Sequence, residues 1–251
     1  MSTTTPRIAM LAITKHAAAK LAALAPRIPD ADIIVSEKFA ETMQGLPNKV
    51  TVYSGALRPQ VAGLLEAYDQ LAFFVSLGAV VRLIAPHLKS KEEDPGIVAV
   101  DDSGKFVIPV LSGHVGGANA FAEQLAELLQ ATAVVTTASD VGNTIPVDIL
   151  GRELGWKVEA PKINITRVSA HVVNEEAIAF VQECGTSNWW TRATPLPKNI
   201  HLFKSFDDVD LEQHKAILWV TQNEIPETLW QQLEERLVVY RPPLTNNLDQ
   251  Q

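Results

Sequence analysis

Short apolar runs of strand length recur along the first ~155 residues of this chain, each closing in a small or polar turn and passing into a segment of helical spacing. Residues 8–14, 32–36, 50–53 and 71–76 are such runs. Between them, residues 15–25 form an alanine-rich helix ended by Pro26 and Pro29, and a second helix runs from Pro59 to about Tyr68. Gly78 turns the chain into a third helix over 79–85, which Pro86 stops. The 71–76 run, LAFFVS, is apolar at consecutive positions, the pattern of a strand buried on both faces of a parallel sheet. Such alternation predicts an α/β fold with a mainly parallel, doubly wound sheet.

One antiparallel pair interrupts that pattern. Residues 96–101 and 106–111 are apolar and flank Asp102-Ser103-Gly104-Lys105, a hairpin turn. Residues 117–129 place Ala118, Phe121, Ala122, Leu125, Leu128 and Leu129 on one helical stripe. A strand at 133–137 and a helix near 144–154, with Pro146 early in it, complete a first domain of residues 1–155. Composition changes at Gly155-Trp156. Beyond it, a helix over 174–183, strands at 200–203, 216–221 and 237–240, and a helix over 227–235 predict a smaller second α/β domain, residues 156–243. Residues 188–192, with Trp189 and Trp190, read as an exposed linker; the indoles suit either a contact surface between copies of the chain or packing between the domains. Residues 244–251 read as a disordered tail.

Bulk properties narrow the function classes. The net charge of −8 argues against generic nucleic-acid binding and means that an anionic ligand needs local donors. Cys184 is the only cysteine, which excludes an intrachain disulfide and a thiolate cluster. The histidines at 16, 87, 114, 171, 201 and 214 lack metal-ligand spacing, so no protein metal site is expected. No apolar run approaches the ~20 residues that span a bilayer, and the N-terminus has no leader pattern, so a cytoplasmic protein is expected. The dinucleotide fingerprint, the P-loop and the GxSxG elbow are all absent.

Ligands of parallel sheets bind at the carboxyl ends of the strands. Three turns are expected to converge there: Ser76-Leu77-Gly78, residues 112–119, and residues 136–143. Each precedes a helix N-terminus, where free N–H groups favour carboxylates or phosphates. The middle turn, SGHVGGAN, is the richest. His114 suits a general acid or base, or a turn-capping role. Ser112 opens this turn. Gly116 and Gly117 suit oxyanion donors or close packing, and Asn119 suits a ligand contact or a cap. Arg82 suits a carboxylate clamp or a solvated surface. Lys91 and Asp94 belong to a mixed-charge loop, the usual composition of a solvated face. Thr136 and Thr137 offer hydroxyls, and Asp140 offers a carboxylate or a helix cap.

The pieces LGAVVRLIAPHLKSKEEDPGIVAVDDSGKFVIP, LSGHVGGANAFAEQLAELLQA and VVTTASD resemble the N-terminal domain of the cobalt-precorrin-5A hydrolase (CbiG) family of anaerobic cobalamin synthesis. The segment from 155 to 243 is similar to that family's middle domain, while the chain ends before the family's usual C-terminal domain. The resemblance implies a hydrolase that opens the δ-lactone of a cobalt-bearing tetrapyrrole and releases acetaldehyde. It implies no cofactor, since cobalt arrives within the substrate, and as partners a separate C-terminal-domain protein or other enzymes of the pathway. In that frame, water activated by His114 or Asp94 attacks the lactone carbonyl, and Gly116 and Gly117 bind the oxyanion. Arg82 and Lys91 hold peripheral carboxylates. Gly78, Ser112, Asn119, Thr136, Thr137 and Asp140 complete the pocket. The rival class is a corrinoid-binding or scaffolding module without catalysis of its own.

Overall fold

A computed structural model describes residues 5–90 and 93–244; Lys91 lies outside the described residues. The chain packs as two units, Met1–Thr136 and Thr137–Gln251.

The first unit is built on a seven-stranded sheet. Its strands are β1 (Ile8–Ala12), β2 (Asp32–Ser36), β3 (Val50–Tyr53), β4 (Gln70–Phe74), β5 (Gly96–Val100), β6 (Phe106–Leu111) and β7 (Thr132–Ala133), in the order β3-β2-β1-β4-β5-β6-β7. The first five run parallel to one another. β6 is antiparallel to β5, and β7 is parallel to β6. Because successive strand residues point to opposite faces, Met10 and Ala12 enter one core and Ala9 and Leu11 the other. Helices α1 (Lys15–Leu24) and α4 (Ala118–Leu129) cover the first face; α2 (Val61–Ala67) and α3 (Leu77–Ile84) cover the second. The sheet is therefore doubly wound. The expected α4 stripe packs as read: Ala118, Phe121, Ala122 and Leu125 are at most 2% exposed. Thr14 starts α1, its hydroxyl accepting the Ala17 N–H at 3.1 Å.

The second unit holds a five-stranded sheet of β8 (Lys157–Glu159), β9 (Ile178–Gln182), β10 (Ile200–Phe203), β11 (Ala216–Val220) and β12 (Leu237–Arg241), in the order β10-β9-β11-β12-β8. All pairs are parallel except β12 with β8. Its helices are α5 (Ala138–Val141), α6 (Lys162–Val173) and α7 (Glu227–Gln232). Two apolar clusters lie on opposite faces of this sheet, one holding Val168 and Val172 of α6, the other Leu233 beyond α7.

The structure corrects three expectations. No α-helix forms over 144–154; turns lead into a 3-10 turn at Arg152–Leu154, because Pro146 and Gly151 (φ 70°) break the run. A Cβ at Gly151 would lie 2.3 Å from the Trp156 ring, so this turn is shaped around the indole. The residues expected as a helix over 174–183 form a turn and then β9, and the helix lies earlier, at α6. Ile145, Val147 and Leu150 pack into the core that holds Trp156, so the compact units divide after Thr136, ahead of the boundary expected at 155.

Nor is 188–192 a bare linker. Trp189 stacks on Phe180 of β9 with centroids 4.1 Å apart, and its Nε1 donates to Gln182 Oε1 at 3.0 Å. Trp190 meets Trp189 edge-on and donates to the Thr194 carbonyl at 2.7 Å.

Candidate functional site

The hairpin decides where the expected turns go. Leu111 of β6 pairs with Ile97, near the start of β5, so β6 delivers residues 112–119 to the amino edge of β4 and β5. Ser76 and Gly78 follow Phe74, which pairs with Val100 at the carboxyl edge. The two corners therefore sit on opposite rims, separated by the five residues of β5, roughly 13 Å or more at ~3.3 Å per residue. The expected convergence fails at this point. The signal lay in the sequence: a hairpin inserted after five parallel strands reverses every strand end that follows. Since β7 is parallel to β6, Thr136 leaves on the same rim as His114.

At the carboxyl rim, Ser76, Gly78 and Arg82 are exposed, and the Arg82 guanidinium donates back to the Gly78 carbonyl at 2.9 Å. Across β1, the Thr14 hydroxyl donates to Asp102, and the Ser54 hydroxyl donates to Glu37 at 2.7 Å.

The amino-rim corner is closely built. Ser112 is held in the left-handed region (φ 52°), uncommon for a residue with a side chain, and its hydroxyl donates to the Asp94 carbonyl at 2.9 Å. The N–H groups of Gly117, Ala118 and Asn119 donate to the carbonyls of His114, Ser112 and Gly113 at 3.1, 3.2 and 3.0 Å. Gly117 is thus engaged within the turn and is not an open oxyanion donor. The Gly116 N–H, by contrast, makes no hydrogen bond among the described residues. Gly116 also has a packing duty: a Cβ there would stand 2.6 Å from Ser112 Cβ and 2.7 Å from the Gly96 nitrogen. A Cβ at Gly113 would meet Asn119 Oδ1 at 2.5 Å. Ser112 and Asn119 are buried; His114 is half-buried.

Asp94 is committed differently from its expected role. Its carboxylate accepts the Lys89 N–H at 3.0 and 3.3 Å, closing the turn that leads into β5. Two participants escaped the sequence reading. Gln70, the first residue of β4, donates to the Gly116 carbonyl at 3.4 Å, and Gly96 lies against the corner's backbone. Only the reversed β6 brings them there, so strand register was the missing signal.

Thr137 and Asp140 belong to the second unit. Thr137 precedes α5, and the Asp140 carboxylate pairs with Arg192 at 2.9 Å. The Arg192 guanidinium also stands 5.8 Å from the centroid of the Trp190 ring, a cation–π contact. Among the described residues no helix is long and apolar enough to cross a membrane.

Fold and corner together define a protein of two α/β units whose first sheet carries, on the reversed rim, a glycine-rich turn around one histidine. Residues 60–140 match the model for the cobalamin synthesis G N-terminal domain, and residues 145–242 match that for the cobalamin biosynthesis central region. The chain belongs to the cobalamin synthesis G family and carries these two domains of it. It is 42% identical over 234 residues, 93% of its length, to a cobalt-precorrin-5A hydrolase of Priestia megaterium. With the cobalt-precorrin-5A hydrolase of Salmonella typhimurium it shares 29% identity over 95% of its length. The chain spans 62% and 66% of these relatives. A Sulfolobus solfataricus homolog of cobalamin biosynthesis protein G aligns at a TM-score of 0.48 and 21% identity, covering 94% of this chain and 60% of that one, a likeness too distant to bear on the site.

Proposed function

We propose that this chain acts on cobalt-precorrin-5A, taking part in opening its δ-lactone and releasing acetaldehyde to give cobalt-precorrin-5B. The observation that carries this reading is the 42% identity with the Priestia megaterium hydrolase across 93% of the chain. Cobalt belongs to the substrate.

The chemistry assigns the corner two tasks. Water adds to the lactone carbonyl carbon while His114 takes its proton, and the Gly116 N–H stabilises the oxyanion that forms. Collapse of that intermediate breaks the ester C–O bond, and the released alkoxide takes the proton back. The freed hydroxyl then loses its proton and becomes the carbonyl of acetaldehyde. As it does so, the carbon–carbon bond to the macrocycle breaks, and its electron pair stays with the ring. Asp94 closes its own turn, which leaves His114 as the acid–base group. Arg82, on the opposite rim, is removed from this pocket.

The test is an anaerobic incubation of the purified chain with cobalt-precorrin-5A, following acetaldehyde and product mass. It is repeated with the C-terminal part of the Priestia megaterium relative added. Acetaldehyde in either arm supports the proposal. Corrinoid binding without acetaldehyde in both arms replaces it with the scaffolding reading, and no binding at all overturns both.

A further inference from the structure

We propose that the carboxyl edge of the second sheet, at the ends of β9 and β10 beside the point where the chain reverses, is a second binding site, one that takes the carboxylate-bearing rim of a planar ring compound. The ligand class rests on the function proposed above; the site itself rests on the geometry. From β9 the chain passes to β10 on one side and then to β11 on the other. The loops leaving these strands diverge there, and a crevice opens at the carboxyl ends.

Two clefts occupy this edge, of about 570 and 540 Å³, and both are lined by Cys184 and Gly185. Each falls in the size range of small-molecule sites. Gly185 (φ 75°) is needed between them, since a Cβ there would stand 2.8 Å from Pro242. In the first cleft the apolar side chain open to solvent is Leu202, 62% exposed on the edge strand β10, beside its fully buried register partner Phe180. Such a side chain gains free energy when an apolar ring covers it.

The polar groups of this cleft have unequal freedom. Glu183 accepts from the Phe206 N–H at 3.2 Å, the Thr221 hydroxyl at 2.7 Å and the Asn223 amide at 3.1 Å, so its oxygens are occupied by neutral donors while its negative charge remains. Gln182 is engaged with Thr186 and Trp189. Lys204 is exposed and makes no ion pair among the described residues. An exposed leucine beside an ammonium with no ion pair favours an apolar ring whose carboxylate lies toward Lys204 and away from Glu183. Burial, and then the charge of Glu183, push the Cys184 thiol up, so its alkylation, which runs through the thiolate, is slow enough to time and reports on whether the cleft is covered.

The experiment uses the full chain and its single cysteine. Alkylation of Cys184 by N-ethylmaleimide is timed against increasing uroporphyrin, a tetrapyrrole carrying carboxylates around its rim. The expected result is saturable protection, with the half-protecting concentration raised about fivefold in Lys204→Glu and in Leu202→Asp. Lys215→Glu, whose site precedes β11 at the opposite edge, should leave it unchanged. Absence of protection, or equal protection in Lys204→Glu and Lys215→Glu, overturns the proposal. If cobalt-precorrin-5A is neither bound nor converted while uroporphyrin protection still depends on Lys204, the function reading fails and this site stands. If cobalt-precorrin-5A is converted but protection does not depend on Lys204, the function reading stands and this site is removed.

Discussion

A methyl group added at Gly116 would press on Ser112 Cβ and on the Gly96 backbone, neither of which is the tip of a flexible chain. Gly116→Ala should therefore cost about 2 kcal/mol or more in urea denaturation. Gly63, inside α2, has nothing within 4 Å of its added Cβ, and Gly63→Ala should stabilise the protein by roughly 0.5–1 kcal/mol. Equal effects of the two changes would discredit the corner geometry. His114 is separable from packing by kinetics. His114→Gln should slow acetaldehyde release about 100-fold in a protein that still unfolds cooperatively in urea, and near-normal turnover removes it as the acid–base group. Tyr68 gives a pH signature. Burial, then the hydrogen bond its hydroxyl donates to Asp32 at 2.6 Å, raise its phenol from 10.0 to about 12. A folded-state pKa above the unfolded one gives stability that is intact below pH 10.0 and lost as the pH rises through about 12. Denaturation midpoints taken across that window should fall less steeply in Tyr68→Phe; an unchanged slope would contradict the phenol's assignment.

Element by element, the sequence was most legible where period and length agreed. The strands β1 to β6 and the helix α4 follow from apolar runs and one clear stripe. The helix α6 was missed because KINITRVSAHVV is rich in β-branched residues, which weaken helix propensity. Tertiary contacts override that weakness: Val168 and Val172 are at most 1% exposed. Asn164, 1% exposed, fastens the helix to β12 by donating to the Leu237 carbonyl at 2.9 Å and accepting the Glu235 N–H at 3.2 Å. No propensity scale shows a partner some seventy residues away. Asn164→Ala would leave both backbone groups without this partner, at a cost of about 2–4 kcal/mol. A loss below about 0.5 kcal/mol in denaturant would mean that α6 is held by its apolar face alone. The candidate site failed at the same scale. Its residues and its hairpin were both legible, but β6 reverses direction, and this divided the turns between two rims.

For the whole molecule, the question is where one cooperative unit ends. The cores of the first unit draw on the residues from β1 to α4, with Ala131 and Ala133 at their margin. Ile145, Val147 and Leu150, each at most 4% exposed, join the cluster around Trp156 and Tyr240. The Tyr240 hydroxyl donates to the Val147 carbonyl at 2.8 Å, which ties this stretch to β12. A chain of residues 1–136 should accordingly unfold in one transition as a monomer. A chain of 1–155 would carry three large side chains with no core to enter, each forgoing about 1.5–3 kcal/mol of burial. It should bind a hydrophobic dye and associate in size-exclusion chromatography. The complementary pair reverses the expectation: 137–251 folds, whereas 156–251 loses those side chains and the Tyr240 bond and melts lower. Should 1–155 prove the better-behaved N-terminal piece and 156–251 the equal of 137–251, the division after Thr136 does not describe the folding units, and the turn around Trp156 belongs with the sheet that precedes it.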